Sequence, residues 1–149
     1  MVLHALDAHY KDCLREAVGL AVSTLNRKSE RGTRIVILVP SIVARSATLC
    51  ATDDLVESVS ALSAIEIVQV DTIQDILELI QDDSLTHYSI LTCCISFIAR
   101  FNGSLRSGHL HLILSLLSQS FGDVAVVEPI ETLSDSPDTK AIIEWVTKL

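Results

Sequence analysis

Aromatic side chains make up only 4% of the 149 residues. A core of stacked rings is thereby excluded, and the apolar 49% of the chain must build its interior from Leu, Ile, Val and Ala. Glycine is just as sparse. Gly19, Gly32, Gly103, Gly108 and Gly122 are the full set, and none stands after an apolar run in the spacing of a phosphate loop, whose backbone amides close on an anion before a Lys and a hydroxyl complete the site. Lys and Arg are missing altogether between Ser46 and Ala99. No apolar stretch approaches the ~20 residues that cross a bilayer, despite a mean hydropathy of +0.45. The opening residues carry His4, Asp7 and His9 where a secretory signal places basic and then apolar residues, so an intracellular protein is expected.

Cys-x-x-Cys and Gly-x-Ser-x-Gly are absent as well, which removes the usual signatures of a redox pair and a nucleophile elbow. The four cysteines, Cys13, Cys50, Cys93 and Cys94, lie inside apolar runs and read as free and buried. If Cys93 and Cys94 belong to one strand, they point to opposite faces. His109 and His111, two apart on a helix, diverge too far to share a metal and read as surface or packing residues. Asp82 and Asp83 read as a loop pair. Neither a metal nor a cofactor is expected.

What is present is a series of aliphatic runs separated by helical periodicity. Leu6 to Leu25 repeats apolar residues every three or four positions and predicts an amphipathic helix, followed by a polar loop from Asn26 to Thr33. Arg34 to Val39 predicts a buried strand stopped by Pro40. Asp54 with Glu57 predicts a capped helix through Leu55, Val56, Val59 and Leu62. Ile65 to Val70 predicts a strand, and Asp71 with Gln74 a cap for the helix carrying Ile73, Ile76, Leu77 and Ile80. Tyr88 to Ile98, eleven residues without charge, predicts a central strand. Asn102-Gly103 marks a turn, Leu105 to Phe121 a long helix ended by Gly122, and Val124 to Val127 a last strand. Ser136-Pro137 predicts the start of a final helix through Ile142, Ile143, Trp145 and Val146. Strands alternating with helices, with no hairpin between successive strands, imply one α/β domain spanning residues 1–149: a three-layer sandwich on a mostly parallel sheet.

Charge is unevenly spread around a net of -8. Asp53, Asp54, Glu57, Glu66, Asp71, Asp75, Glu78, Asp82 and Asp83 fill the stretch without bases, while Arg27, Lys28, Arg31 and Arg34 cluster in one loop. The plain reading is a solvated acidic face and a basic connector. The functional reading gives the four basic residues a weak DNA contact.

The nearest imitation of a phosphate loop is Val39-Pro40-Ser41-Ile42-Val43-Ala44-Arg45-Ser46, with Ala, Arg and Ser at the spacing of Gly, Lys and Ser but both glycines gone. At the end of the predicted central strand, Cys93, Cys94 and Ser96 replace a metal-holding acid. With Arg34–Pro40 as a strand, Ile65–Ile80 as a strand, capped turn and helix, Tyr88–Ile98 as a strand followed by a loop and the helix to Phe121, and Val124–Glu128 as the next strand, the order of elements resembles a truncated core of the RecA-like recombinase family, in particular its diverged paralogues in Shu-type complexes. In that register Leu6 to Leu25 is the helix after the phosphate loop, and the first strand and the loop lie before residue 1. The resemblance implies a nuclear pseudo-ATPase that pairs with another RecA-like subunit in a hetero-oligomer assisting homologous recombination and DNA repair. Ile142, Trp145 and Val146 are the expected partner contacts, and Arg27, Lys28, Arg31 and Arg34 the expected DNA contacts. Elongator's ring-forming subunits share the same lost motifs and give the alternative assembly, with a pseudo-GTPase scaffold behind them. A small α/β enzyme would place its site at the carboxyl ends of the strands, near Pro40, Asp71, Ser96 and Glu128.

Overall fold

The computed structural model describes residues 2–6, 10–27, 34–46, 64–82, 88–101, 104–121 and 123–129. Its elements are β1 (Val2–Leu6), α1 (Tyr10–Arg27), β2 (Ile35–Val39), α2 (Ser41–Ser46), β3 (Ile65–Gln69), α3 (Ile73–Gln81), β4 (Ser89–Cys93), a 3-10 helix (Ile95–Ala99), β5 (Arg100–Phe101), β6 (Ser104–Leu105), α4 (Ser107–Ser120) and β7 (Val124–Pro129). Five strands form one parallel sheet in the order β1-β7-β4-β2-β3. The expected α/β sandwich on a parallel sheet is the architecture found, and β4 is its central strand. This order differs from both common doubly wound arrangements, 3-2-1-4-5-6 and 2-1-3-4-5.

Alternation along the strands sorts the core into two layers. Val36, Leu38, Ile90, Val124 and Val126 point toward α3 and α4, where Ile76, Leu79, Leu110, Ile113, Leu114 and Leu117 meet them. Ile35, Ile37, Val39, Leu91 and Val127 point to the other side, against Leu14, Ala17, Val18 and Ala21 of α1 and Val43 of α2. Each fully buried Leu or Ile contributes roughly 1.5–3 kcal/mol through removal from water, so aliphatic side chains suffice without rings. In α4 the buried stripe is Leu110, Ile113, Leu114 and Leu117, whereas Leu112 stays exposed.

Three expectations need correction. A first strand does exist: Val2–Leu6 pairs in parallel with β7, and the helix starts only at Tyr10. The i to i+4 step from Leu6 to Tyr10 had joined the strand end to the helix. The uncharged run Tyr88–Ile98 is not one strand. It breaks at Cys94, whose left-handed backbone (φ 55°, ψ 36°) turns the chain into the 3-10 helix. As a result Cys93 and Cys94 pack into the same layer, on the α1 side, instead of facing apart. Finally, α3 is capped by Thr72 and Asp75, one residue later than Asp71 and Gln74. The Thr72 hydroxyl accepts from the Asp75 N–H at 3.2 Å, and the Asp75 carboxylate accepts from the Thr72 N–H at 3.1 Å.

The turn expected at Asn102-Gly103 is flanked by antiparallel β5 and β6, with Arg100 opposite Leu105 and Phe101 opposite Ser104. Leu105 thus ends a hairpin, and α4 begins at Ser107. The predicted helices at 54–62 and after Pro137, Cys50 and Asp83 lie outside the described residues.

Candidate functional site at the carboxyl ends of the strands

In a parallel sheet the carboxyl ends of the strands gather the loops where ligands are bound. At that edge two of the described carboxylates, Asp71 and Glu128, are each committed to a serine. Asp71, two residues beyond β3, accepts from the Ser41 N–H at 2.9 Å and the Ser41 hydroxyl at 2.8 Å. Glu128, near the end of β7, accepts from the Ser96 N–H at 3.0 Å and the Ser96 hydroxyl at 2.6 Å. Ser41 opens α2, which follows β2; Ser96 lies in the first turn of the 3-10 helix, which follows β4. In both cases a neighbouring strand lends an anion to the amide-rich start of the helical element beside it, where N–H groups have no partner within the helix.

The two clasps differ in burial. Asp71 is exposed, and the Ser41 N–H and hydroxyl hold its carboxyl below the usual range. Glu128 is only 1% exposed. Burial pushes its carboxyl up to about 7 against the pull of the two Ser96 donors and the Arg100 cation.

Two buried thiols, Cys13 and Cys94, lie within electrostatic reach of Glu128. Cys13, Cys93 and Cys94 are buried thiols outside any disulfide, as their setting in the sequence predicts. Contact with the Cys94 thiol, then burial, pushes Cys13 far up; Cys94 is drawn down by Cys13 but pushed up more by Cys93 and burial. Protonated thiols are poor nucleophiles and poor metal ligands. Among the described residues no group of three His, Cys, Asp or Glu side chains is arranged to hold a metal ion. Tyr10 at the start of α1 packs on Phe97 with ring centroids 5.4 Å apart, and the Arg100 guanidinium lies 5.2 Å from the Phe97 ring centre.

The degenerate phosphate-loop segment is helical from Ser41, the Val43 and Ala44 N–H groups donating to the Pro40 carbonyl, and the Arg45 Nε donates to the Ser41 carbonyl at 3.4 Å. Its amides are therefore spent within the helix and on Asp71. The structure thus brings Pro40 and Asp71 together through Ser41, and Ser96 together with Glu128. The sequence pointed to those four strand ends but carried no signal for the pairing, nor for the left-handed Cys94.

Of the expected DNA-binding residues, Arg27 and Arg34 lie at the opposite end of the sheet. Arg27 ends α1, and Arg34 immediately precedes β2. Arg34 is exposed, donates to the Tyr88 hydroxyl at 3.0 Å and lies 5.9 Å from its ring centre. Lys28 and Arg31, like the expected partner contacts Ile142, Trp145 and Val146, fall outside the described residues. His109 and His111 are exposed on α4.

No family model, no curated protein and no solved structure matches the chain.

Proposed function

We propose that this chain is a non-catalytic, partner-binding subunit built on a RecA-like core, assembled with another RecA-like subunit in a complex that assists homologous recombination. The RecA-like core and its partner rest on the order of elements, and the observation that supports the loss of nucleotide binding is the spacing of β1 and α1. Only three residues, Asp7 to His9, separate the strand from the helix, where a phosphate loop takes about eight. Asp71 and Glu128 at this edge each cap a helical turn, which commits their oxygens to serine donors rather than to a metal for a nucleotide. A small α/β enzyme using the same four strand ends is disfavoured on the same ground: Ser96 and Glu128 are buried together, away from any substrate.

The test has two arms. Calorimetric titration with magnesium and ATP is expected to give no heat of binding; micromolar affinity abolished by Arg45→Ala would overturn the pseudo-ATPase reading. Purification of the tagged full chain from its native cell is expected to recover a second RecA-like subunit, identified by mass. Recovery of an Elongator-type ring, or of no stoichiometric partner, would overturn the assignment to a recombinase complex.

A further inference from the structure

We propose that the edge of β3 that has no neighbour among the described residues docks an extended segment of a partner protein in which apolar and basic residues alternate, added to the sheet as a further strand. The inference rests on the reading of the chain as a partner-binding subunit, and adds where the partner sits and what chemistry it presents.

The backbone supplies the first part. Among the described residues β3 has β2 as its one neighbour. The Ala64 carbonyl accepts from the Ile35 N–H at 3.0 Å, and the Val70 N–H donates to the Val39 carbonyl at 3.0 Å. Alternate residues of a parallel strand serve opposite sides, so the even-numbered residues serve β2 while the amides and carbonyls of Ile65, Ile67 and Gln69 point away from it. Edges of this kind are normally blunted by charged side chains, Pro or a bulge. β3 has no Pro and no bulge, keeps regular register with β2 over all five residues, and carries a single charge, Glu66, which repels acidic strands and admits basic ones.

Side chains supply the second part. Ile67 pairs with Ile37 and so faces the α1 layer, yet it is 44% exposed, one of three large apolar side chains left this open among the described residues. Glu66 pairs with Val36 and faces the α3 and α4 layer, where it is exposed. An added strand therefore meets an uncovered isoleucine on one face and a carboxylate on the other. From Ala64 to Asp82 the chain carries Glu66, Asp71, Asp75, Glu78 and Asp82 with no Lys or Arg. Arg34 lies within electrostatic reach of Glu66, and Arg45 within reach of Asp71. They offset only part of this charge.

The same charge argues against a second copy of the chain. Antiparallel pairing of two β3 edges about Ile67 would set the two Glu66 side chains on one face and bring two acidic α3 surfaces together, and such like-charge juxtapositions are destabilising. A strand alternating Val or Ile with Lys or Arg satisfies both faces at once, with main-chain hydrogen bonds holding it in place.

The probe is a ten-residue peptide alternating valine and lysine, titrated onto the full chain while amide hydrogen exchange is followed by NMR. Exchange of the Ile65, Ile67 and Gln69 amides is expected to slow at least tenfold. A peptide of the same charge with a central proline, and a valine–glutamate peptide, are expected to bind at least tenfold more weakly. Ile67→Lys, a change at an exposed position, is expected to abolish binding at unchanged melting temperature. Equal binding of the proline peptide, or no protection of those three amides, would overturn the proposal, as would protection that grows with protein concentration and no peptide, which identifies a second copy. In the purified native complex, a partner still bound by Glu66→Lys and Ile67→Lys, with the three amides unprotected, sinks the edge assignment alone. Absence of any partner sinks the underlying reading instead.

Discussion

The Ser96 hydroxyl reaches the Glu128 carboxylate at 2.6 Å, across the boundary between the turn after β4 and the end of β7. With the Ser96 N–H at 3.0 Å, this bond pins the chain where Cys94 reverses it through a left-handed conformation. That conformation costs an L-residue of order 1 kcal/mol or more, and the buried carboxylate beside it is what the turn is held against.

Glu128 should make stability depend on pH near neutrality. Its folded carboxyl is raised to about 7, above its ordinary 4.5, so the folded state holds the proton more tightly than the unfolded one. Its contribution is fully present below about 4.5 and is lost as pH rises toward about 7. At 1.36 kcal/mol per tenfold change in proton affinity, the span is on the order of 3 kcal/mol. Thermal melts of wild type and Glu128→Gln between pH 4.5 and 8 check this: the gap between them should shift in favour of the variant as pH rises. A gap independent of pH would show that Glu128 does not titrate in this window.

Thr92 offers a stabilising change. Its hydroxyl is buried in the central strand without a hydrogen-bond partner, between Leu38 and Val126 on the neighbouring strands. Thr92→Val keeps the shape and removes the unsatisfied group, which should add about 1 kcal/mol. Urea denaturation reads this as a higher midpoint at unchanged slope; a lower midpoint would mean that the hydroxyl is satisfied in solution.

The cap of α3 gives a third measurement. Thr72→Ala removes the hydroxyl that accepts from the Asp75 N–H and breaks the reciprocal pair. A loss of about 1 kcal/mol is expected. Because α3 packs Ile76 and Leu79 into the α4 layer, the loss should appear in global unfolding and not only as local fraying. Hydrogen exchange of the α3 amides separates the two.

Where the fold was legible, burial and local chemistry agreed. Ile35–Val39 reads as a strand because five consecutive aliphatic residues are buried on both faces, and β4 reads as central because no charge interrupts it. The same uniformity hid the end of β4: nothing in the aliphatic character of Ile95 to Ile98 distinguishes a strand from a 3-10 helix, and the turn is enforced by Glu128 from 32 residues away. β1 was hidden for the converse reason, since only three residues part it from α1 and Leu6 fits the helical period. Asp71 was legible as a carboxylate at a helix start, but the helix it serves most directly is α2, through Ser41. Such long-range pairings are set by sheet register, which a local reading cannot contain.

If the proposed recombinase reading holds, any DNA contact should run through Arg27, Lys28, Arg31 and Arg34, with the acidic β3 and α3 surface turned away from the nucleic acid. Arg27 ends α1 and Arg34 precedes β2, Lys28 and Arg31 fall between them in the sequence, and a net charge of -8 keeps binding by the lone chain weak. Each phosphate neutralised contributes a slope of about -0.9 in the logarithm of affinity against the logarithm of salt. Replacing all four residues by Ala should weaken binding of the complex to DNA and flatten that slope by up to about 4, leaving partner assembly intact. Arg34 requires its own control, because it also donates to the Tyr88 hydroxyl and lies near its ring. Tyr88→Phe keeps the ring and removes the acceptor, so it frees the guanidinium for phosphate. It should leave DNA affinity unchanged or raise it, whereas Arg34→Ala should lower it. Unchanged affinity and salt slope in the fourfold variant would make the basic segment a solvated connector, with Arg34 serving only to hold the start of β2 against Tyr88.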